Sequence, residues 1–253
     1  MPQCAAMSAG GTTRLACGVA TTDRVIAEDA IRVLDHGFVR LDAAMASDLA
    51  VVNGARVSFA RHKTEMDESD EGLIRFLMRE RHASPFEHSV FRFHIRCPIF
   101  VAREWFRHRW SSFNEFSLRY AKATDDFYVP EPDDVRTQVG KPGAYSFEPV
   151  DDELAERARE EMRDVYEQAF ATYERLVDAG VARELARSVL PVGAYTEFYW
   201  TVNARSLMNF VSLRAADAAQ REIRRYADAV ETFFAEQMPV THGAFVAAGR
   251  VAP

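Results

Sequence analysis

The chain has 253 residues, of which 48% are hydrophobic and 27% charged, and its formal net charge is −7. This length and apolar content are enough for one large domain or two small ones, and they argue against disorder over most of the chain. No apolar run approaches the roughly 20 residues that span a bilayer, and the N-terminus lacks the order of a secretory signal. We therefore expect a cytoplasmic protein that binds neither membranes nor nucleic acid, since the acidic balance disfavours a nucleic-acid surface.

Three cysteines are present, Cys4, Cys17 and Cys97. Their odd number and their spacing fit neither a disulfide framework nor a zinc site, so we expect no metal. Two of them fall in the first 22 residues, a stretch of small residues that lacks a hydrophobic period. We predict a partly flexible leader over residues 1–34 and a compact domain over residues 35–248.

The first half of the compact region shows the patterns of two strands and two helices. The predicted strands cover residues 37–45 and 89–97, and the predicted helices cover residues 47–59, with Ser47 as N-cap, and residues 71–82, stopped by Pro85. The second strand alternates strictly and places Phe91, Phe93, Ile95 and Cys97 on one face. Cys97 is therefore predicted to be a core residue rather than a catalytic thiol.

The second half is dominated by helical patterns. We predict helices over residues 99–110, 151–179, 181–190, 204–214 and 221–238, a strand over residues 194–202, a loop over 111–120 and an irregular segment over 124–150. Asn203 is a plausible N-cap for the helix that follows it. The apolar stripe of the long helix is predicted to comprise Leu154, Ala158, Met162, Val165, Ala169, Tyr173 and Leu176.

Several common site types do not occur in this sequence. It contains neither a GxGxxG turn nor a GxxxxGK[ST] loop. The segment HASPFEH, His82 to His88, has two histidines and a glutamate, but its spacing and its proline fit no regular metal site. It is either a turn whose polar groups satisfy buried backbone or part of a ligand pocket.

Arginine and amide side chains concentrate in three segments. These are RHRWSSFNEFSLR (residues 107–119), RELAR (183–187) and NARSLMNFVSLR (203–214). Guanidinium groups bind phosphates bidentately, and Asn and Ser can hydrogen-bond to sugars or to the imide edge of a base. The segments are therefore either a site for a nucleotide or flavin nucleotide, or solvated surface arginines.

The first of these segments fits the RHR-x7-S motif, and the chain resembles the flavin-dependent thymidylate synthases. The resemblance extends in order through GARVSF, HASPFEH, FVAREWFRHR, ELARSVLP and FYWTVNARSLMNFVSLRA, and covers roughly residues 35–248. It implies an enzyme that methylates dUMP at C5, with 5,10-methylenetetrahydrofolate as the carbon donor. It also implies FAD, reduced by NADPH, as the hydride source and an α+β fold of long helices and a small sheet, assembled as a homotetramer with sites between subunits.

The resemblance also assigns roles to particular residues. It implies contacts to dUMP from Glu104, Arg107, Glu115, Phe116, Ser117, Leu118, Arg119, Arg187 and Arg214. It implies contacts to FAD from Ser58, Ser84, Arg107, His108, Arg109, Glu115, Asn203, Arg205 and Asn209. His82 and Tyr120 fall where the family lines the ring-stacking region. Arg214 is the implied catalytic residue, because an arginine beside the uracil can stabilise negative charge without a cysteine nucleophile.

Two positions depart from the family pattern. Glu104 stands where glutamine is common, and a carboxylate there would repel a nucleotide phosphate unless it pairs with Arg103 or Arg107 or turns away. Ala218 stands where some members have a histidine that contacts the flavin.

Helical geometry adds a constraint that does not depend on the resemblance. Arg205 and Asn209 share a helix face, whereas Arg214 lies on about the opposite face, so one helix would serve two pockets at an interface or would bend. Two other functions remain open, a non-catalytic flavin- or nucleotide-binding regulator and a metal-dependent nucleotide hydrolase, although the latter lacks a visible carboxylate and histidine cluster.

Overall fold

A five-stranded antiparallel sheet forms the centre of the computed structural model, which describes residues 29–141 and 144–253. The strand order is β1-β2-β3-β7-β4. These strands are β1 (Ala30–Val33), β2 (Gly37–Met45), β3 (Val90–Pro98), β4 (Ser111–Glu115) and β7 (Tyr195–Asn203). The predicted strands at 37–45, 89–97 and 194–202 are confirmed within a residue or so at each end.

Eight helices accompany the sheet within the described ranges. They are α1 (Asp48–Arg56), α2 (Glu68–Arg79), α3 (Ile99–Trp105), α4 (Asp152–Asp178), α5 (Arg183–Ala186), α6 (Ala204–Arg214), α7 (Arg221–Gln237) and α8 (Pro239–Ala247). Ser47 and Asn203 cap α1 and α6 as predicted, because their side chains accept hydrogen bonds from the amides of Ala50 and Ser206. None of the helices in these ranges is both long and apolar enough to cross a membrane. The predicted α+β class is confirmed.

Several predicted elements differ from the structure. The predicted loop at 111–120 begins with strand β4, and the predicted irregular segment contains the β5 (Arg136–Lys141) and β6 (Ala144–Pro149) pair. Both segments lie at exposed edges, where the polar and turn-forming residues that we took as loop signals are tolerated in strands. The helix predicted to reach residue 110 ends at Trp105. Helix α8 is not predicted by the sequence, because Pro239 reads as a helix stop; the structure instead places Pro239 in the first turn of α8.

The beginning of the ordered sheet also differs from our prediction. Strand β1 pairs with β2 upstream of residue 35, where we placed the start of the domain. The proposed leader otherwise lies mostly outside the described residues, as do Cys4 and Cys17. The division into a leader at 1–34 and a domain at 35–248 stays a prediction.

The buried face of β3 packs against an aromatic cluster. Phe91, Phe93, Ile95 and Cys97 have no exposed surface, as the alternation predicts. Burial raises the pKa of the Cys97 thiol well above its usual value, so this side chain is a neutral core residue.

Three large aromatic rings pack together next to this buried face, where Phe93 contacts Trp200. Trp105, the last residue of α3, stacks on Phe210 of α6 with ring centroids 4.6 Å apart. Trp200 of β7 lies 5.3 Å from Trp105 and 5.0 Å from Phe210. The cluster joins β7 to α3, which the RHR segment follows, and to α6, which carries the third arginine-rich segment.

The predicted stripe of α4 is only partly correct. Leu154, Met162 and Val165 are 37%, 38% and 57% exposed, whereas Tyr173 is buried. The packed side of α4 instead brings Tyr166 onto Phe127, with centroids 4.9 Å apart. The helix is therefore rotated relative to the prediction, and part of its apolar surface is uncovered in the single chain.

A carboxylate of α1 caps the N-terminus of α8. Asp48 is buried and accepts hydrogen bonds from the amides of Val240 and Thr241, at 3.0 and 2.8 Å, and from the Thr241 hydroxyl at 2.6 Å. Helix α8 has no capping side chain of its own. Asp48 therefore satisfies donors that would otherwise be buried and unpaired.

Replacing Asp48 with alanine should destabilise the protein. We expect the free energy of unfolding to fall by about 2 kcal/mol, the scale of hydrogen bonds to a charged group whose partners stay buried. Chemical unfolding at one fixed protein concentration measures this, with Asp152→Ala, an exposed acidic residue of the first turn of α4, as the control. Equal midpoints for the two variants would contradict a capping role for Asp48.

Candidate active site

A cavity of about 650 Å³ lies where α6, β7 and the RHR segment meet. Its size is that of a small-molecule or cofactor site. The lining residues are Arg81, His108, Trp110, Ser111, Trp200, Val202, Arg205, Ser206, Asn209, Ala252 and Pro253. Three of the residues implied to contact FAD, His108, Arg205 and Asn209, are therefore together on one cavity.

The lining offers several hydrogen-bond donors to an anionic or polar ligand. Arg205 is held by an ion pair with Glu87 at 3.0 Å and by a hydrogen bond to the carbonyl of Pro253 at 3.2 Å. The indole Nε1 of Trp200 is buried and has no hydrogen-bond partner among the residues that the structure describes.

His108 lies between this cavity and Arg214. Its ring contacts Phe210 edge-on at 5.0 Å, and its Nε2 accepts a hydrogen bond from Nε of Arg214 at 3.0 Å. Burial, and then the nearby Arg214 cation, lower the pKa of His108 to about 4. His108 is therefore neutral at pH 7, and the hydrogen bond assigns its proton to Nδ1.

Arg214 is held on its other side by Glu104. Nη1 of Arg214 donates to Oε2 of Glu104 at 2.9 Å, and Nη2 donates to the main-chain carbonyl of the same residue at 3.2 Å. Burial raises the pKa of Glu104, and the Arg214 cation opposes this. Glu104 thus pairs with Arg214 and not with Arg103 or Arg107, the partners that we considered from the sequence.

The relation of Arg214 to the cavity agrees with the helical geometry. Arg205 and Asn209 line the cavity, whereas Arg214 does not line it directly. It touches His108, which does. Arg214 is therefore adjacent to the cavity through one shared neighbour.

A second group of implied residues lies around α5. Arg119 makes an ion pair with Glu184 at 3.2 Å, and Nε of Arg187 donates to the carbonyl of Glu184 at 3.3 Å. Ser117 precedes them and accepts a long hydrogen bond of 3.4 Å from the amide of Arg119. Within residues 29–141 and 144–253, no hydrogen bond or ion pair connects this group to Arg214.

The two arginines of the RHR triplet do not line the cavity. Arg107 and Arg109 are exposed, and their guanidinium groups make no hydrogen bond or ion pair within the described part of the chain. Glu115 accepts a hydrogen bond from Thr196 at 2.7 Å. Phe116 and Leu118 line a different and much smaller cavity of about 20 Å³.

The other implied residues have local roles or are exposed. Ser58 and Ser84 are exposed in short 3-10 segments, and Asn203 caps α6. His82 contacts Phe76 edge-on at 5.8 Å, and Tyr120 is 74% exposed. None of these five lines the 650 Å³ cavity.

Some lining residues were not recognised from the sequence. Arg81 follows α2 and has a positive φ of 56°, a conformation uncommon for residues other than glycine and enriched at functional sites. Trp110, 83% exposed, is inside the RHR motif at a variable position. The sequence pattern identifies Trp200 only as a strand residue. Its indole N–H, a polar group on an otherwise apolar side chain, is the feature that could have marked it as a site residue.

The described residues also bear on metal binding. They contain no group of three or more His, Cys, Asp and Glu side chains arranged to hold a metal ion. His108, which lines the cavity, and Glu104 instead form hydrogen bonds with Arg214.

The lowered pKa of His108 can be tested by titration. We expect its imidazole to titrate near pH 4 rather than near 6.5, because protonation would bury a second cation beside Arg214. The unfolded chain then takes up a proton that the folded chain refuses, so this residue makes the free energy of unfolding fall as the pH drops from 6.5 to 4. Proton NMR, with the signal assigned by its loss in His108→Asn, measures the midpoint, and a value near 6.5 would contradict the assigned hydrogen bond.

The chain is similar to proteins of known family over most of its length. A family model described as thymidylate synthase complementing protein matches residues 40–240. A flavin-dependent thymidylate synthase of Thermosipho africanus is 47% identical over 215 residues, which cover 85% of this chain and 93% of that protein. One of Thermus thermophilus is 46% identical over 215 residues, or 85% of this chain and 77% of that protein.

Solved structures give the same result. The crystal structure of the UMP/dUMP methylase PolB from Streptomyces cacaoi, bound with 5-Br dUMP, has a TM-score of 0.81 and 46% identity, and the match covers 88% of this chain and 100% of that one. The same methylase bound with 5-Br UMP has a TM-score of 0.81 and 45% identity, over 88% and 99%. This chain belongs to the thymidylate synthase complementing protein family, the flavin-dependent thymidylate synthases, as the RHR-x7-S resemblance predicts, and it is an enzyme.

Proposed function

We propose that this enzyme converts dUMP to dTMP, with 5,10-methylenetetrahydrofolate as carbon donor and FAD, reduced by NADPH, as hydride source. The uracil C5 loses a proton and gains the methylene carbon, which the hydride completes to a methyl group while tetrahydrofolate leaves. The observation that carries the proposal is Arg214, held by His108 and Glu104 beside a cavity of cofactor size. The names of the similar proteins support the same chemistry.

The cavity fits a flavin nucleotide by its donor set. Arg205 can pair with a phosphate, and Asn209 can hydrogen-bond to a sugar or to an imide edge. His108 is neutral and so does not add a charge beside the ligand. FAD bound here would supply the hydride; the residues named would hold and orient it.

Arg214 is proposed to act on the uracil. Nε and one N–H of each terminal nitrogen are used by His108 and Glu104, so two of the five donors remain. A planar guanidinium with two such donors can face a carbonyl oxygen of the base and stabilise the negative charge that makes C5 nucleophilic. This role needs no cysteine nucleophile, and the one cysteine among the described residues, Cys97, is buried in the core.

The residues around α5 are proposed to bind the nucleotide phosphate and sugar. Ser117, Arg119 and Arg187 supply a hydroxyl and two exposed cations, which suits an anionic ligand. Arg107, whose guanidinium has no partner in the described part of the chain, is proposed to join them, and Arg109 to contact FAD, while Glu115, Phe116 and Leu118 shape the surroundings. Ser58, Ser84 and Asn203 stay proposals for the flavin site.

We further propose a homotetramer with each site shared between subunits. Two observations support this. Arg214 and the α5 residues form separate groups in the single chain, and α4 exposes Leu154, Met162 and Val165, which a neighbouring subunit could cover.

A second candidate activity is the methylation of UMP. It is favoured by the similarity to the solved structure of a UMP/dUMP methylase. The alternative of a non-catalytic regulator is not retained, because the similar proteins are named as synthases or as a methylase. The hydrolase lacks support as well, since it would need a metal cluster that the described residues do not form.

The proposed function is tested with the purified protein. We expect acid treatment to release a yellow cofactor that chromatographs as FAD, and NADPH to reduce this cofactor before release. With dUMP and methylenetetrahydrofolate present, dTMP should accumulate, and an equal concentration of UMP tests the second activity. A protein that is colourless, cannot be reconstituted with FAD and forms neither product would refute the proposal.

Arg214→Lys tests the role assigned to the guanidinium. Lysine keeps the charge but loses the planar fork, so the saturated rate of dTMP formation should fall about 10²-fold, as for the loss of one well-placed electrostatic group. Reduction of the bound FAD by NADPH should persist. Arg187→Ala is the contrast, because loss of a phosphate contact should raise the dUMP concentration for half-saturation more than it lowers the saturated rate. A parental saturated rate for Arg214→Lys would show that Arg214 only binds.

A further inference from the structure

The carboxylate of Glu104 has a hydrogen-bond partner in the structure. Its Oε2 and its main-chain carbonyl accept from the two terminal nitrogens of Arg214, at 2.9 and 3.2 Å. The two side chains are 27% and 21% exposed, so water competes only partly for this pair. One residue, Glu104, therefore accepts hydrogen bonds from both terminal nitrogens of the Arg214 guanidinium.

The backbone of Glu104 is itself fixed by packing. The next residue, Trp105, has no exposed surface and stacks on Phe210. Phe210 lies four positions before Arg214 on α6 and thus on the same helix face. The distance between the Glu104 backbone and the root of the Arg214 side chain is consequently set by the aromatic core.

The charges around Glu104 favour Arg214 as its only strong partner in the described part of the chain. Arg214 stabilises the carboxylate, Glu222 repels it, and His108 is neutral. A free Arg214 side chain could rotate about its last torsions, whereas the bonds to Glu104 and His108 define the plane of the guanidinium.

We propose that Glu104 is a positioning residue for Arg214, whose guanidinium it holds so that one N–H of each terminal nitrogen faces the nucleotide. This inference rests on the proposed function, in which Arg214 acts on the uracil. It differs from the direct contact to dUMP that the family resemblance implies for this position, because Glu104 acts through Arg214. In this proposal, the side-chain oxygen of Glu104 positions Arg214 by accepting its hydrogen bond, and the negative charge of Glu104 is not needed.

The test compares replacements that separate the acceptor from the charge. Glu104→Gln keeps an acceptor of the same length, so we expect the parental saturated rate and a dUMP half-saturation concentration lowered up to about fivefold, since the carboxylate no longer offsets the cation. Glu104→Ala removes the acceptor and should lower the saturated rate about 10-fold or more, because small misplacements of a catalytic group are costly. Glu104→Asp keeps the negative charge but shortens the side chain by one methylene, which moves the acceptor oxygen away from Arg214. Its saturated rate should therefore fall as much as that of Glu104→Ala.

FAD content and reduction of FAD by NADPH without dUMP are measured for every variant and should stay parental. Glu71→Ala, which removes an exposed carboxylate paired with Arg75 at 3.3 Å, is the matched control and should leave all measurements unchanged. If Glu104→Ala fails to fold, the Glu104→Asp and Glu104→Gln pair decides the question.

A double-mutant cycle with Arg214→Lys distinguishes positioning from direct binding. If Glu104 acts through Arg214, the variant carrying both Glu104→Ala and Arg214→Lys should be no more than about threefold slower than Arg214→Lys alone. A loss equal to the product of the two single losses would overturn the proposal and favour a direct contact. So would parental rates for Glu104→Ala and Glu104→Asp, or a Glu104→Gln variant as slow as alanine.

Failure of the proposed function can be distinguished from failure of the positioning role, because it is seen in the parent protein or in Arg214→Lys. A parent protein that forms no dTMP, or an Arg214→Lys variant with the parental saturated rate, refutes the role of Arg214 before Glu104 is changed, and the positioning role falls with it. When the parent is active and Arg214→Lys is slow, the outcome depends on Glu104 alone.

Discussion

The stacking of Trp105 on Phe210 is the contact on which the site depends. It joins the end of α3 to the middle of α6, and Trp200 of β7 completes the cluster from the sheet. Glu104 precedes Trp105, and Arg214 follows Phe210 by one helical turn, so the stack brings this carboxylate and this guanidinium together. His108 contacts the edge of the same Phe210. An apolar core thus determines the position of three polar groups.

The electrostatics of these three groups follow from that packing. A partly buried arginine needs acceptors, since an unpaired charge away from water is costly. One acceptor is charged and the other is a neutral imidazole, because burial, and then the Arg214 cation, lower the pKa of His108. Two carboxylates would have cancelled the positive charge that a uracil-facing group requires. The combination of Glu104 and His108 orients Arg214 and leaves part of its charge available to a ligand.

The sequence predicts those parts of the fold that local patterns determine. The alternation of Phe91, Phe93, Ile95 and Cys97 identified a central strand, and Ser47 and Asn203 marked helix starts correctly. It could not predict the rotation of α4, because the packed side of an amphipathic helix depends on which neighbours are present. The capping of α8 by Asp48 was also hidden, since donor and acceptor are 192 and 193 positions apart.

The candidate site likewise combines residues that local motifs predict with contacts that only the folded chain reveals. Family motifs brought His108, Arg205 and Asn209 to notice, and the structure places all three on one cavity. The pairing of Glu104 with Arg214 could not be read from a motif, because it spans 110 positions and requires the aromatic stack. Arg81 and Trp200 were missed for a similar reason. A motif identifies chemistry that is local in the chain, whereas the groups that satisfy or orient it come from distant segments.

The RHR triplet illustrates how neighbouring residues can serve different surfaces. His108 faces the cavity and Arg214, while Arg107 and Arg109 on either side are exposed and unpaired in the described part of the chain. Of the three consecutive residues, only His108 lines the cavity. The motif therefore joins an interior position, fixed by the aromatic core, to two positions that are exposed in the described part of the chain.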